Sequence, residues 1–331
     1  MSEAPRPLGP TGHHVPPLGL GCWQLGADWG EVDDQQATEV LRASYDAGVR
    51  LFDTADVYGD GRSEQRIARF LRDLGPDADD VVVATKAGRR ADPHVPEAFT
   101  PDNLRAWIDR SRRNLGVEAL DLVQLHCPPT PVFDDDEVFG ALRELVDEGH
   151  LRAYGVSVET VAEGRTALRH GIASIQVIVN VLRQKPLTEL LPQAADSGVA
   201  ILARVPLASG LLSGRYTRDT TFAADDHRTY NRDGQAFDVG ETFAGVPFEV
   251  GVDAAREVAE LAPDGVTPAQ LALRWLVDLP QVTAAIPGAR TAEQARANAA
   301  VLDLPPLDDA TTDALRAIYD RDIRRHVHDR W

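Results

Sequence analysis

The chain of 331 residues is strongly acidic, because 52 Asp and Glu residues outnumber 34 Lys and Arg residues and give a formal net charge of −18. Proteins that bind nucleic acid need a basic surface, so this charge argues against nucleic acid as a partner. The hydrophobic content of 43% allows a large core, yet no window reaches the roughly 20 apolar residues of a membrane span.

The amino terminus and the cysteines indicate a cytoplasmic protein. Residues 1–7 contain no apolar signal core, which predicts an unprocessed cytoplasmic start. Cys22 and Cys127 are too few for a disulfide framework, and a reducing compartment suits them. The chain has no Cys-x-x-Cys motif, and two prolines follow Cys127 at once, so we expect neither a catalytic thiol nor a metal site.

Strand patterns and helix patterns alternate along the chain. A turn at residues 8–12 predicts a short amino-terminal hairpin. The apolar stretches typical of parallel strands lie at residues 19–23, 49–53, 81–86, 120–126, 153–157, 175–179, 199–203 and 282–286. Helices are predicted at residues 33–47, 62–74, 101–115 and 135–148, the last of them closed by Gly149. Eight such units predict an α/β fold, a (β/α)8 TIM barrel that forms a single domain over residues 1–331.

Two segments break this alternation. The long loop after the seventh strand, residues 206–248, has no clear apolar periodicity and lies on the predicted active face. Long loops in compact domains are usually lids or disordered segments, and the position of this one favours a lid. The tail, residues 319–331, is also predicted to be irregular.

Four polar residues lie where apolar stretches end: Asp53, Tyr58, Lys86 and His126. Barrel enzymes build their active sites at the carboxyl ends of the strands, so these side chains are expected to converge on one pocket. Lys86 is one of only two lysines in the chain, which suggests a task that a guanidinium cannot perform. A cation near a phenol stabilises the phenolate, and we therefore expect a tyrosine whose pKa is lowered.

Six sequence blocks carry a resemblance to a known family. They are Phe52-Asp53-Thr54-Ala55-Asp56-Val57-Tyr58-Gly59 with Arg62-Ser63-Glu64, Leu18-Gly19-Leu20-Gly21, Ala84-Thr85-Lys86, Gln124-Leu125-His126, Gly155-Val156-Ser157 and Ile286-Pro287-Gly288-Ala289-Arg290. Together they span essentially the whole chain, in consistent order, and resemble the aldo-keto reductases. The resemblance implies a TIM barrel that reduces aldehydes and ketones with NAD(P)H and without a metal.

The resemblance assigns a role in carbonyl reduction to each of the four polar residues at the strand ends. A hydride that reaches a carbonyl carbon leaves negative charge on the oxygen, which must be protonated. Tyr58 is expected to be the proton donor, Lys86 its neighbouring cation, Asp53 the counter-ion and His126 the hydrogen-bond donor that orients the carbonyl. General acid catalysis of this kind contributes about 10²–10⁴-fold.

The chain has no Gly-x-Gly-x-x-Gly motif after a strand, which argues against a Rossmann phosphate cradle. The family resemblance implies a cofactor site built from other residues. Ser157, Gln176 and Asn180 are expected at the nicotinamide end, and Leu207 and Gly210 at the pyrophosphate. The remaining assigned residues are Gly21, Gly288, Arg290, Gln294 and Asn298, of which the last four lie where the last strand feeds the last helix. Helix amino termini attract phosphate, and Arg290 is expected to hold a 2′-phosphate, which favours NADPH while leaving NADH possible.

The sequence departs from the family pattern at three places near this cofactor site. Val158 stands where the family often has Asn, Val179 where an aromatic residue commonly stacks on the nicotinamide, and Arg204-Val205 where Tyr-Ser is usual. These departures predict a looser or differently posed cofactor.

The substrate side and two alternative functions remain open. Trp23 and Trp29 are expected to form an aromatic wall for a small carbonyl substrate whose identity the sequence does not give. A lyase could instead use Lys86 as a Schiff base. A third possibility is a non-catalytic nicotinamide-binding regulatory subunit, since relatives of this family accompany ion channels. The oligomeric state is left open.

Overall fold

A computed structural model describes residues 3–26 and 32–331 of the protein. The amino-terminal hairpin pairs β1 (Arg6–Pro7) with β2 (His14–Val15) in antiparallel fashion. Eight parallel strands follow: β3 (Leu20–Gly21), β4 (Leu51–Asp53), β5 (Val82–Ala87), β6 (Leu122–His126), β7 (Tyr154–Ser157), β8 (Ser174–Ile178), β9 (Ala200–Arg204) and β10 (Ala284–Ala285). Each barrel strand pairs with the next one along the chain.

Hydrogen bonds between the first and last strands close the sheet into a barrel. The backbone N–H of Gly19 donates to the carbonyl of Ala285 at 2.8 Å, and that of Gly21 donates to Pro287 at 3.0 Å. Both glycines are sites of close approach, since a Cβ on Gly21 would lie 2.8 Å from the carbonyl oxygen of Ile286. The predicted TIM barrel with its amino-terminal hairpin is therefore confirmed.

The hairpin closes one end of the barrel. Its buried residues Leu8 and Val15 pack into one apolar cluster with side chains of the barrel strands. The members from the strands include Leu51, Val82, Leu122, Leu202 and Ala284. Among the described residues this end is filled, and barrel proteins bind their ligands at the opposite end, where the strands end at their carboxyl termini.

Helices surround the barrel on its outer face. They are α1 (Asp34–Asp46), α2 (Arg62–Leu74), α3 (Pro101–Leu115), α4 (Asp136–Asp147), α5 (Val161–Ala167), α6 (Pro186–Asp196), α7 (His227–Tyr230), α8 (Phe248–Glu260), α9 (Pro268–Asp278), α10 (Ala292–Ala299), α11 (Asp309–Ile318) and α12 (Arg324–Val327). The sequence contains their end signals: Asp33 caps α1 by accepting from the N–H of Gln36 at 2.8 Å. Gly149, at φ +79°, ends α4 as predicted. Of the helices that the structure describes, none is long and apolar enough to cross a membrane.

The segment between β9 and α8, residues 206–248, contains only short helical turns, in agreement with its lack of periodicity. The tail differs from the prediction. A π-helical turn at Tyr319–Ile323 continues α11 into α12, and only the last residues are irregular. The reason is burial: Tyr319, Ile323 and Val327, spaced four residues apart, all lie in the core. These three apolar residues stand among many charged ones, so their periodicity was too weak to predict a helix from the sequence.

Trp331 connects the tail to the segment 206–248 through a hydrogen bond and ring contacts. The indole N–H of Trp331 donates to Asp238 at 2.9 Å, and the guanidinium of Arg183 lies 3.9 Å from the centre of the Trp331 ring. A Cβ on Gly245 would come within 2.3 Å of that ring, which explains a glycine at this point of contact. The segment 206–248 is thus held at Asp238 and Gly245 by Trp331.

Candidate active site

The four polar residues predicted to converge do so at the carboxyl ends of β4, β5 and β6. The ammonium group of Lys86, which is 1% exposed, donates to Asp53 Oδ2 at 2.6 Å, to the carbonyl of Thr54 at 2.8 Å and to the Tyr58 hydroxyl at 3.3 Å. These three acceptors match the three protons of an ammonium group. Lys86 therefore occupies one fixed point between a carboxylate and a phenol.

The charges of this group decide its protonation state. Burial lowers the pKa of Lys86, but the opposing effects of Asp53 and Tyr58 are larger together and raise it above its ordinary value. Burial also raises the pKa of Tyr58, and Lys86 offsets this only in part, so the phenol has a raised pKa. The expected lowering of that pKa is not found in this structure, because burial outweighs the cation. At neutral pH the site holds a protonated lysine and a protonated phenol.

His126 is neutral and faces an arginine. Burial lowers the pKa of His126 well below its ordinary value, and the cation of Arg89 lowers it further. The Arg89 Nη1 atom lies 3.3 Å from His126 Nε2. The other ring nitrogen, Nδ1, is buried and makes no hydrogen bond with any residue that the structure describes. The ring of His126 stands edge-on to Tyr58 with centroids 5.9 Å apart.

A cavity of about 620 Å³ opens over these residues at the carboxyl end of the barrel. Asp53, Tyr58 and His126 form part of its floor, with Lys86 beneath them. The predicted cofactor residues that line it are Gly21, Ser157, Gln176, Leu207, Gly210, Gly288, Arg290, Gln294 and Asn298. One contiguous cavity thus connects Tyr58 with the start of α10.

Asn180 is the predicted cofactor residue that the structure does not bring to the cavity. It is fully buried, its side-chain N–H donates to the carbonyl of Val205 at 2.9 Å, and its oxygen accepts from the N–H of Leu182 at 2.8 Å. Both polar ends of the amide are therefore used to hold a turn. The role of Asn180 at the nicotinamide end therefore stays a prediction, since neighbouring backbone groups already use the hydrogen bonds of its amide.

The walls of the cavity contain features suited to a dinucleotide. A Cβ on Gly288 would lie 2.3 Å from Gln24 Oε1, so a larger residue here would push the Gln24 side chain aside, and that amide oxygen is buried without a hydrogen bond to any described residue. Arg215 and Arg290 both line the cavity. The helix α10 begins beside Arg290 with Thr291 as its cap. Two cations and the start of a helix in one cleft match an anionic ligand.

Strained backbone concentrates at the cavity. Val205, Ala208 and Ser209 have φ between +47° and +54°, in the left-handed region that side chains with a Cβ rarely adopt. Gly210 follows at φ +93°. Strain of this kind persists where the surrounding structure over-determines the chain, and it clusters at ligand sites.

Of the two tryptophans predicted to form an aromatic wall on the substrate side, the structure describes Trp23. Trp23 lines the cavity, with its ring 6.3 Å from Tyr58 and 6.3 Å from Phe237. Phe237 comes from the segment 206–248, which therefore packs against Trp23 on this side of the site. Trp29 lies outside the described residues.

Four charged residues beside the cavity were not identified as a group from the sequence: Arg89, Glu159, Arg204 and Glu241. Only Arg204 had been noted, as a departure from a family pattern. Arg89 and Glu159 follow strands β5 and β7, and Glu241 lies in the segment 206–248. No apolar periodicity at these positions predicts that they meet. Arg215 and Gln24 were missed for the same reason, although both lie within or beside motifs that were recognised.

A metal at this charged group is disfavoured by its arginines. Cys127, Glu159 and Glu241 offer three ligand atoms within 4.8 Å of one another, but guanidinium groups already bind both carboxylates. Burial and Glu159 raise the pKa of the Cys127 thiol, which keeps it neutral and a poor ligand. The thiol shares a hydrogen bond of 2.8 Å with the Ser157 hydroxyl instead.

Comparison with known proteins gives a consistent result over nearly the whole chain. The sequence profile of the aldo/keto reductase family matches residues 17–320. An uncharacterized oxidoreductase of Mycobacterium bovis is 34% identical over 312 residues, covering 91% of this chain and 89% of that protein. A probable voltage-gated potassium channel subunit beta of Arabidopsis thaliana is 27% identical over 316 residues, covering 91% of each.

Solved structures agree with these matches. The glycerol dehydrogenase AKR11B4 of Gluconobacter oxydans superposes with a TM-score of 0.77 at 29% identity, covering 98% of this chain and 96% of that one. An aldo/keto reductase of Klebsiella pneumoniae, solved in complex with NADP and acetate, has a TM-score of 0.71 at 25% identity, with 96% of each chain covered. Both similarities extend over the barrel and the segments that build the cavity.

Proposed function

Because the chain belongs to the aldo/keto reductase family, an oxidoreductase family, we propose that it reduces an aldehyde or ketone to an alcohol with NADPH, and that Tyr58 is the proton donor. The observation that carries this proposal is the position of the Lys86 ammonium group, buried between Asp53 and the Tyr58 hydroxyl. A protonated phenol beside a fixed cation can release its proton when charge develops on a nearby oxygen, and the cation then stabilises the phenolate.

The residues of the cavity suit NADPH, which supplies a hydride when bound. Arg215, Arg290 and the start of α10 would hold its phosphates, and Ser157 and Gln176 its nicotinamide end. The Klebsiella relative solved with NADP supports this choice of cofactor. Arg290 as the ligand of the 2′-phosphate would favour NADPH over NADH. Trp23, and Trp29 by sequence alone, are assigned to the substrate.

The proton steps follow from the chain's own side chains. Tyr58 donates its proton to the carbonyl oxygen as that oxygen becomes negative. Lys86 stays protonated and pairs with the new phenolate, while Asp53 balances the ammonium charge. Burial of all three in a dry site strengthens these interactions relative to water.

The lyase alternative is disfavoured by the state of Lys86. A Schiff base needs a free amine, whereas this nitrogen is buried, makes three hydrogen bonds and has a raised pKa. The regulatory alternative is favoured by one observation, the similarity to the probable channel subunit of Arabidopsis. Binding of nicotinamide cofactor without turnover would identify that second function.

The test is a turnover assay with the purified protein, NADPH and a panel of aldehydes and ketones, followed by the loss of NADPH absorbance. The proposal expects turnover that Tyr58→Phe abolishes while the variant still binds NADPH. Binding with no turnover of any member would reject it in favour of the regulatory function. We further propose a single domain over residues 1–331 and a cytoplasmic location, which the two free cysteines support.

A further inference from the structure

Arg204 places a positive charge at the end of the cavity assigned to the nicotinamide. It is the last residue of β9 and lines the cavity together with Ser157 and Gln176. Its Nη2 atom donates to the carbonyl of Val158, the residue after Ser157, at 3.1 Å. The same atom lies 3.6 Å from the thiol of Cys127, which shares a hydrogen bond with the Ser157 hydroxyl. The guanidinium group therefore lies next to a residue assigned to the nicotinamide.

The hydrogen bonds of Arg204 are concentrated on one of its nitrogens. Nη2 donates to Glu159 at 2.8 Å as well as to the carbonyl of Val158. Nη1 lies 3.7 Å from Glu241, which is too far for a hydrogen bond. Nε is buried and makes no hydrogen bond with a residue that the structure describes. The chain thus compensates this guanidinium group on one side only.

The neighbouring carboxylates do not cancel the positive charge completely. Burial raises the pKa of Glu159 to about 7, and Arg204 offsets this effect only in part, so a share of Glu159 is uncharged at neutral pH. Burial also raises the pKa of Glu241, but Arg89 and Arg204 outweigh it and lower that pKa, so Glu241 is ionised. Glu241 makes its hydrogen bond of 2.8 Å with Arg89. Two guanidinium groups therefore face one full and one partial negative charge.

The two forms of a nicotinamide cofactor differ in charge at the ring. The ring carries a positive charge in NADP+ and none in NADPH, while the sugars and phosphates of the two forms are the same. A fixed cation beside the ring therefore repels one form and leaves the other almost unaffected. At an effective dielectric constant of about 20, two unit charges within about 10 Å of each other change a binding constant by about tenfold or more.

We propose, on the basis of the proposed function, that the charge of Arg204 makes this site select the reduced cofactor, by weakening the binding of NADP+ relative to NADPH. Arg204 transfers neither a proton nor a hydride. A site of this kind fills with NADPH when both forms are present and is weakly inhibited by NADP+. Arg204 stands where the family usually has a tyrosine, which is neutral, so the selection is a property of this chain.

The first test titrates NADPH and NADP+ separately into the wild-type protein and into Arg204→Met, by calorimetry. At about pH 6.5, Glu159 is mostly uncharged, so the variant loses one positive charge with little compensation. The ratio of the Kd for NADP+ to the Kd for NADPH should fall by about tenfold in Arg204→Met. An unchanged or higher ratio overturns the inference.

The second test changes the other partner of the ion pair. Glu159→Gln keeps Arg204 and removes the anion that compensates it, so the same ratio should rise above that of the wild type. This comparison is made at about pH 8, where the wild-type glutamate is mostly charged. A merely structural ion pair would give shifts in one direction, because loss of either partner disturbs the same contact. An unchanged or lower ratio in Glu159→Gln overturns the inference.

Two further variants serve as controls. Arg204→Lys keeps the charge and should stay near the wild-type ratio; it also decides the matter, together with Glu159→Gln, should Arg204→Met fold poorly. Loss of the wild-type ratio in Arg204→Lys counts against the inference. Arg290→Ala removes a cation assigned to the phosphates, which both forms carry, so it should leave the ratio unchanged. A fall in Arg290→Ala as large as that in Arg204→Met would show that the effect is not specific to the nicotinamide end.

These titrations need no turnover, so they separate the inference from the proposed function. A protein that binds both forms with the expected shifts but reduces no carbonyl compound rejects the proposed reaction and supports the inference. A protein that reduces carbonyl compounds while Arg204→Met keeps the wild-type ratio rejects the inference alone. A protein that binds neither form rejects both.

Discussion

The amide of Gln176 donates to Asp53 Oδ1 at 2.7 Å, opposite the oxygen that binds Lys86. Each oxygen of the carboxylate therefore has its own donor, one neutral and one charged. This division fixes the plane of the carboxylate, which in turn fixes where the ammonium group of Lys86 can lie. The lysine cannot move toward the cavity without losing its counter-ion.

Tyr58→Phe should lower the rate of carbonyl reduction by at least about 10²-fold and leave NADPH affinity nearly unchanged. The hydroxyl contributes the proton, whereas the ring contributes packing against Trp23 that phenylalanine preserves. Steady-state rates and a cofactor titration on the same preparation check this. Turnover at the wild-type rate would remove Tyr58 from the mechanism.

Lys86→Arg should retain less than about a tenth of the wild-type activity although it keeps the positive charge. A planar guanidinium is larger than an ammonium group and cannot lie at one point between Asp53, Thr54 and Tyr58. The matched control is Lys185→Arg, which changes the chain's other lysine and should behave like the wild type. Equal activity of both variants would mean that charge alone matters at position 86.

Arg290→Ala should reduce the preference for NADPH over NADH by about ten- to a hundredfold, since a charge-assisted hydrogen bond contributes about 1.5–3 kcal/mol. NADH has no 2′-phosphate, so its affinity should change little. Titration of both cofactors into the variant and into Arg296→Ala, which changes an exposed arginine within α10, measures the ratio. If the ratio is unchanged, the residue that discriminates lies elsewhere.

Asp56→Asn should stabilise the protein at neutral pH and remove part of its pH dependence. Asp56 is fully buried, neither of its oxygens makes a hydrogen bond with a described residue, and burial and Glu64 raise its pKa to about 7. The folded state therefore binds this proton more tightly than the unfolded state, and the wild type loses stability as pH rises from about 4 to about 7.

The free energy of unfolding, measured by denaturant titration between pH 5 and about pH 8, tests this prediction for Asp56. With 1.36 kcal/mol per pKa unit, the gain in Asp56→Asn should approach, but not exceed, about 4 kcal/mol at the upper end. The exposed Asp79→Asn is the control and should follow the wild-type curve. A variant with the wild-type slope would show that Asp56 keeps its charge in the folded protein.

The sequence predicted the barrel and the convergence of Asp53, Tyr58, Lys86 and His126 because both depend on local rules. Apolar runs define parallel strands, and the carboxyl ends of parallel strands meet at one face. The net effect of burial on the Tyr58 pKa could not be predicted, since it depends on the depth of the folded site. The contact of Arg89 with Glu241 was equally hidden, because it joins residues 152 positions apart in segments without periodicity.

The four charged residues beside the cavity, Arg89, Glu159, Arg204 and Glu241, form ion pairs with one another although they come from four separate places in the chain, which constrains how the protein can be re-engineered. Exchange of residues 206–248 for the corresponding segment of a relative is an obvious route to a new substrate range. An incoming segment without a carboxylate at position 241 would leave the partly buried guanidinium of Arg89 without its anionic partner, and an unpaired charge costs up to about 3–5 kcal/mol where it is fully buried. A successful chimera would need compatible residues at positions 89, 159 and 204 as well, so these four positions should be exchanged as a set.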